Sequence, residues 1–345
     1  MIPVAILGGS GYTGVELMRL IANHPELNLV AVSSRQYQGQ AVASVFGALE
    51  GRVELDFAAA EPETLARQAD LVFLAVPHQT AMAAAPAVLE AGAKLVDLSA
   101  DFRLCNQQVY EQWYAPHTCP QYLAEAVYGL PEFYRERIKP ARLVANPGCY
   151  VTSVLMALVP LLKAGLVSPE GLIADSKSGV SGAGRSAKLG LLHCEVHDNF
   201  KAYSVAGHRH TPEMEQELSL AAGQEVRLTF TPHLLPIDRG ILSTIYARPL
   251  NGAGLDEIRA CWLQAFGNEQ FVRLLPPGVL PATKEVRGTN RVQLAVVQDP
   301  RSGLLKIFSA LDNLTKGASG QALQNANLML GLPEEAGLAD LAVTP

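Results

Sequence analysis

Residues 3–14 read Pro-Val-Ala-Ile-Leu-Gly-Gly-Ser-Gly-Tyr-Thr-Gly, and Val15 to Ile21 continue with a helical period. Pro3–Leu7 is a short apolar run of the kind that forms a strand buried on both faces. Gly8, Gly11 and Gly14 follow at three-residue spacing, one residue wider at the first step than GxGxxG. Strand, glycine turn and helix together turn a weak glycine motif into an informative one. Gly8 and Gly11 allow a tight turn and a close backbone approach to a pyrophosphate. Gly14 allows close helix packing, and Ser10, Tyr12 and Thr13 complete a phosphate-binding turn at a helix N-terminus. An ordinary strand-to-helix turn is the plainer reading of the same residues; the flanking chain decides between them.

A second strand is expected over Leu27–Val32. In an NAD binder its end carries an Asp or Glu for the ribose 2′-hydroxyl. Here it carries Ser33-Ser34-Arg35. Hydroxyls and a guanidinium at Ser34 and Arg35 suit a 2′-phosphate, which a carboxylate would repel, so the expected cofactor is NADP. Asp70–Val76 is a further strand, closed by Pro77-His78, with Pro77 beside the cofactor. Gln79–Ala91 reads as its helix, ended by Gly92. Lys94–Leu98 runs into Ser99-Ala100-Asp101-Phe102-Arg103, where Arg103 is placed to meet an anion beyond the strand ends. This alternation through about residue 145 predicts an α/β, doubly wound Rossmann domain over 1–148. Residues 105–140 show no pattern from which a shape follows.

At 345 residues, two domains are the natural division. Apolar content of 49% and charged content of 17% describe a globular chain. A net charge of −6, with no basic run, argues against nucleic acid as a partner. The cysteines at 105, 119, 149, 194 and 261 are odd in number and form no CxxC pair. That usage fits a reducing compartment. No signal peptide is visible. The most apolar stretch, Val151–Val167, contains Thr152, Ser153, Pro160 and Lys163 and reads as a buried helix, so no membrane partner is expected and the cytoplasm is the default.

The second half opens on Asn146-Pro147-Gly148-Cys149-Tyr150, between a strand-like Leu143–Ala145 and a helix-leaning Val151–Leu162. A cysteine at a helix N-terminus is favoured as thiolate, the nucleophilic form. A buried structural cysteine beside a turn is the bland alternative. Beyond it, strands are expected at Leu172–Lys177, Glu225–Thr231, Gly240–Ala247, Arg291–Val297 and Leu304–Leu311. Helices are expected at Pro212–Ala222, with Thr211 as N-cap, and at Leu255–Phe266. Few helices intervene, so 149–313 reads as a second, α+β domain with a mostly antiparallel sheet. A final helix within 314–345 is expected to return to the first domain. The loop 176–185, with three serines and three glycines, offers donors to an anionic ligand. Gly207-His208-Arg209-His210-Thr211 stands before a helix, where imidazole stays neutral and accepts a proton. No matching cysteine or carboxylate spacing accompanies this pair, and His193/His197, though spaced i,i+4 as zinc ligands on a helix can be, lack the HExxH order, so no metal is expected.

Taken together, GGSGYTG (8–14), LSADFR (98–103), NPGCY (146–150), SGVSGAGR (178–185), GHRHTPE (207–213) and DNLTKGASGQA (312–322) resemble the N-acetyl-gamma-glutamyl-phosphate reductase family. The resemblance covers essentially the whole chain and extends to aspartate-semialdehyde dehydrogenases. It implies NADPH-dependent reduction of a small-molecule acyl phosphate to an aldehyde in arginine synthesis. Cys149 would form a thioester, and His208 or His210 would move the proton; the residues leave that choice open. Arg103, Asn146, Lys177, Ser181 and Gly182 are candidates for holding substrate. Ser178, Gly179, Asn313 and Lys316 are candidates beside the cofactor. The family also implies a homo-oligomer, a homotetramer with dimer contacts through the second domain. Two other readings remain. One is a reductase of another acyl phosphate, aspartyl or aminoadipyl. The other is a non-catalytic NADP sensor, against which the reactive thiol argues.

Overall fold

The computed structural model describes residues 1–342, and the chain divides into two compact units. The first comprises Met1–Pro147 and Ala318–Asp340. Its six strands are β1 (Ile2–Leu7), β2 (Leu27–Val32), β3 (Leu71–Leu74), β4 (Lys94–Asp97), β5 (Val127–Tyr128) and β6 (Leu143–Ala145). They lie in the order β2-β1-β3-β4-β6-β5, every pairing parallel. Val4–Leu7, all of β3 and Leu95–Asp97 are buried, as apolar strands covered on both faces require. The longer helices before residue 147 are α1 (Tyr12–Ala22), α2 (Ala81–Glu90), α3 (Gln107–Trp113) and α4 (Pro131–Ile138). Helices α3 and α4 lie in the patternless stretch 105–140. Asn106 starts α3 by accepting from the amides of Gln108 and Val109.

The C-terminal segment 314–345, where a final helix is expected, is divided. A π-helical turn at Thr315–Ser319 precedes the helix Gly320–Met329. Only Ala318–Asp340 belongs to the first unit, while residues up to Gly317 belong to the second; residues 343–345 lie outside the described part. The helix is buried on all sides. Two of its amide groups donate to one carbonyl: Asn325 to Gly129 O at 2.9 Å and Gln321 to the same oxygen at 3.1 Å.

The second unit carries β7 (Leu172–Gly179), β8 (Lys201–Ala202), β9 (Leu228–Leu235), β10 (Ile241–Ala247), β11 (Val272–Leu274), β12 (Val292–Gln298) and β13 (Leu305–Leu311). Its main helices are α5 (Cys149–Lys163), α6 (Thr211–Ala222) and α7 (Leu255–Phe266). The sheet order is β11-β12-β13-β10-β7-β9-β8. It is mixed, which corrects the expectation of a mostly antiparallel sheet. The β11–β12 and β7–β9 pairs are parallel, and β7–β9 is registered from Leu172↔Leu228 to Gly179↔Leu235. Parallel neighbours need a long crossover. The chain between β7 and β9 contains α6, whose bridging role the sequence alone did not reveal.

Helix α5 packs on one face of this sheet. Ser153 Oγ lies 2.6 Å from Ser243 Oγ, which lies 2.7 Å from Ser176 Oγ. Small hydroxyl side chains at these facing positions let the helix come close and pair one another's polar atoms. Along β7, Leu172, Ala174, Ser176 and Ser178 are buried, while Ile173, Asp175 and Lys177 point to the opposite face. Trp262 of α7 donates Nε1–H to Ala157 O of α5 at 3.0 Å. Among the described residues, no helix is long and apolar enough to cross a membrane.

Candidate active site

In the first unit, the chain runs from β1 to one side of the sheet and from β3 to the other. The glycine turn follows β1 at this switch point, where open α/β sheets bind ligands. Gly8 has φ 92°, and a Cβ on it would lie 2.7 Å from Ala75 O. A Cβ on Gly14 would lie 2.6 Å from Gly9 Cα, so α1 begins hard against the turn. A Cβ on Gly11, the N-cap of α1, would meet nothing within 4 Å; it would enter the open cradle before the helix N-terminus. Ser34 Oγ donates to Ser10 Oγ at 3.0 Å, and Gly8 N–H to Ser33 Oγ at 3.3 Å, tying the end of β2 to the turn. Tyr12, Arg35 and Pro77 are exposed. Thr13 is braced through its carbonyl, which accepts from Ser319 Oγ at 2.8 Å. The Ser33-Ser34-Arg35-Gln36 stretch holds no carboxylate. This turn fits a dinucleotide bearing a 2′-phosphate.

Two residues expected to hold substrate are engaged inside the first unit. Arg103 is buried; its Nε donates to Asn146 O at 2.6 Å and its Nη2 to Leu98 O at 2.8 Å. Asn146 is also buried; its Nδ2 donates to Ala318 O at 3.1 Å and its Oδ1 accepts from Asn325 at 3.1 Å. Both therefore brace the chain that leads to Cys149, and neither presents these groups as an open anion site. Nearby, Asp101 accepts from the amides of Gln79 and Met82 at 2.9 Å and from Tyr110 OH at 2.8 Å, fixing the start of α2. Burial, and then the Asp101 charge, push Asp97 up to about 7.

In the second unit, Cys149 is the first residue of α5 and is partly buried, with Gly148 as N-cap. Two backbones lie close by because glycines make the room. A Cβ on Gly317 would lie 2.8 Å from Cys149 Cβ. A Cβ on Gly148 would lie 2.5 Å from His210 Nε2. His210 is the N-cap of α6, so packing of α6 on α5 brings two helix N-termini together, with the imidazole against the residue that precedes Cys149. Glu213, one turn into α6 and almost wholly buried, accepts the Gly148 N–H at 2.9 Å.

His208 stands behind His210. Its Nδ1 accepts the His210 backbone N–H at 3.1 Å, and its ring centroid lies 4.8 Å from that of His210. Tyr150, Tyr203 and Phe230 surround it edge-on at 5.7, 5.5 and 5.3 Å. Burial, with the Arg209 charge, pulls His208 down to about 4. His208 is thus a neutral packing and hydrogen-bonding group at neutral pH, while His210 is the ring against Gly148.

The remaining candidates divide by face. Asn313 Oδ1 accepts from Gly240 N–H at 2.7 Å, and its Nδ2 donates to Ser181 Oγ at 2.9 Å. A Cβ on Gly182 would lie 3.3 Å from Ser178 Oγ and 3.6 Å from Asn313 Nδ2, so Ser178, Ser181, Gly182 and Asn313 form one cluster. Gly179 packs on the Asp238 backbone, with a hypothetical Cβ 2.6 Å from Asp238 O. Ser176–Gly179 are strand residues rather than loop. Lys177 is a correction: it bridges to Asp175 at 2.6 Å on the face of β7 opposite α5. Strand alternation carries Ser176 and Ser178 toward α5 and Lys177 away. Lys316 is fully buried, its Nζ 5.6 Å from the Phe271 ring centroid. Its neighbour Thr315 accepts from Arg239, which also pairs with buried Asp312 at 2.9 Å.

Gly317, Glu213 and Arg239 were absent from the sequence-derived site. The first two lie inside quoted motifs, and Glu213 follows His210 by one helical turn, which is the signal that would have found it. His193 and His197 stack on each other at 4.9 Å. Among the described residues no cluster of three or more metal-ligating side chains occurs.

The chain resembles known proteins along its whole length. Residues 3–141 match the family model of the semialdehyde dehydrogenase NAD binding domain, and residues 149–313 that of the semialdehyde dehydrogenase dimerisation domain. The N-acetyl-gamma-glutamyl-phosphate reductases of Desulfotalea psychrophila and Geobacter sulfurreducens are each 53% identical over 346 residues, covering 100% of both chains. Among solved structures, aspartate semialdehyde dehydrogenase II of Vibrio cholerae, complexed with ASA, superposes with a TM-score of 0.74 at 18% identity, covering 96% of this chain and 98% of that one. The Candida albicans aspartate semialdehyde dehydrogenase with NADP gives 0.71 at 16% identity, covering 96% and 99%. With a cysteine at a helix N-terminus, a glycine turn at the switch point and full-length identity of this order, the chain belongs to the N-acetyl-gamma-glutamyl-phosphate reductase family of the semialdehyde dehydrogenase fold.

Proposed function

We propose that the chain reduces N-acetyl-L-glutamyl 5-phosphate to N-acetyl-L-glutamate 5-semialdehyde at the expense of NADPH, releasing phosphate, as a step of arginine synthesis. The observation that carries the reading is the His210 ring seated against Gly148, beside Cys149 at the start of α5. The full-length likeness to reductases of this name supports the substrate.

The positive end of α5 favours an anion at Cys149. The thiolate attacks the acyl carbon, the carbon–oxygen bond to phosphate breaks, and phosphate leaves with the electron pair. NADPH, when bound, supplies hydride to the carbonyl carbon of the resulting thioester. His210 takes the thiol proton before attack and delivers it to the oxygen that gains charge on reduction. The hemithioacetal then collapses: its hydroxyl proton passes through His210 to the sulfur as the carbon–sulfur bond breaks, freeing the aldehyde and the Cys149 thiol. His210 is the better choice than His208, because a base held near 4 takes a proton poorly at neutral pH. Ser181 and Gly182 are assigned to substrate. Ser178, Gly179, Asn313 and Lys316 are assigned to the nicotinamide side.

The glycine turn, Ser10, Ser34 and Arg35 hold the adenosine and phosphates of NADP. Residues 1–147 with 318–340 act as the cofactor unit, and 148–317 as the catalytic and association unit. The sheet face opposite α5 exposes Ile173 and Val297, which suits contacts in a homotetramer. The free cysteines suit the cytoplasm.

The reverse reaction tests the reading. N-acetylglutamate semialdehyde, phosphate and NADP should yield NADPH absorbance, and aspartate semialdehyde should not. Turnover of aspartate semialdehyde alone would assign a different acyl phosphate, and nucleotide binding without turnover of any aldehyde would indicate a sensor. A second expected result concerns the cofactor. Arg35→Asp removes the cation and adds a repelling carboxylate where the 2′-phosphate is assigned. The ratio of kcat/KM for NADP over NAD should fall about 10²-fold or more, the effect of about 3 kcal/mol. An unchanged ratio would place that phosphate elsewhere.

A further inference from the structure

We infer that Glu213 is the positioning residue that sets the distance between Cys149 and His210, and that it does so by reach rather than by charge. The inference rests on the reductase reading and assigns a residue to its site. Glu213 Oε1 accepts the Gly148 N–H at 2.9 Å while only 1% of the residue is exposed. Gly148 is the N-cap of α5, immediately before Cys149. Glu213 lies in the first turn of α6, whose N-cap is His210. One hydrogen bond therefore joins the helix that carries the thiol to the helix that carries the imidazole.

The join is made where no slack exists. The space that a Cβ of Gly148 would fill is already within 2.5 Å of His210 Nε2. If α6 slides along α5, the His210 ring moves across Gly148 and the proton path to the sulfur lengthens. A carboxylate is well placed between two helix N-termini, whose partial positive charge offsets its burial. It is buried behind Gly148, accepting a backbone donor, so its task is geometric. A misplacement of about 1 Å at a reacting centre lowers turnover about a hundredfold.

Reach and charge can be separated by three variants. Glu213→Gln keeps the length and a carbonyl acceptor but loses the charge. Glu213→Asp keeps the charge but is one methylene short. Glu213→Ala loses both. The expected result is that Gln retains at least about a third of wild-type kcat. Asp and Ala should fall on the order of 10²-fold in kcat, with KM for NADPH and for the acyl phosphate within about threefold.

Amide hydrogen exchange of the peptide containing Gly148 gives a readout that needs no turnover. It should be slow in wild type and Gln, and faster in Asp and Ala. Activity in Asp with loss in Gln would overturn the inference in favour of a charge role. Full activity in Ala, or rapid exchange at Gly148 in wild type, would also overturn it. Because exchange is independent of the substrate, slow exchange at Gly148 in an enzyme that failed to reduce N-acetylglutamyl phosphate would count against the substrate assignment and still support Glu213 as the tie.

Discussion

Cys149→Ser should lower the rate of aldehyde formation by at least about 10⁴-fold, while NADP binds with unchanged affinity. The size of the effect follows from what the sulfur does. A thiol with an ordinary value near 8.5 gives usable thiolate at neutral pH, and a helix N-terminus raises that fraction. A serine hydroxyl in the same place stays protonated, and an ester is a poorer hydride acceptor than a thioester. The change is nearly isosteric. Cys149 sits partly buried between Gly148 and Gly317, where a Cβ is already accommodated and only sulfur is exchanged for oxygen. Loss of activity would therefore be chemical and not structural. Turnover with stopped-flow absorbance of NADPH, cofactor titration and a thermal melt together check this. A serine variant that retained even a hundredth of the wild-type rate would remove the covalent route.

Gly148→Ala should cost nearly as much as truncating His210 itself, on the order of 10²-fold in kcat. The backbone is no obstacle, since Gly148 has φ −70° and ψ 147°, which alanine adopts freely. The obstacle is the imidazole. The new methyl would lie 2.5 Å from Nε2 and 2.8 Å from both Cδ2 and Cε1 of His210. Carbon contacts need about 3.5 Å or more, so the ring must retreat by about 1 Å. Retreat is opposed on the other side by His208 and Tyr150, with ring centroids at 4.8 and 6.0 Å from His210. Overpacking of this kind costs about 1–3 kcal/mol in stability, which a melt would register separately. If kcat survived in this variant, His210 would not be the group that moves the proton.

Local chemistry explains what was readable beforehand. The glycine turn was readable because strand, turn and helix are contiguous and each glycine answers a near-neighbour contact: Gly14 against Gly9, Gly8 against Ala75. Cys149 was readable at a helix start because the apolar run after it and the Asn-Pro-Gly before it are both local. The side of β7 that Lys177 occupies was also latent in the sequence. Period-two alternation places Lys177 opposite Ser176 and Ser178, and treating 176–185 as a loop hid it.

Pairing across the chain was not readable. Whether β7 takes β9 as a parallel neighbour depends on how α6 and the segments around it cross over, and no window of residues contains that.

The amino-acid order by itself determined the glycine turn, the position of Cys149 at a helix start and the family, because each is written in consecutive residues whose spacing dictates their geometry. Only the tertiary structure decided which imidazole lies against Gly148, what Glu213 holds, and that Arg103 and Asn146 serve as braces. Those depend on separations of 43 to 179 residues being closed by packing, as in Arg103 to Asn146, Gly148 to Glu213 and Asn146 to Asn325. Burial in a close-packed interior, not sequence spacing, selects the partner there.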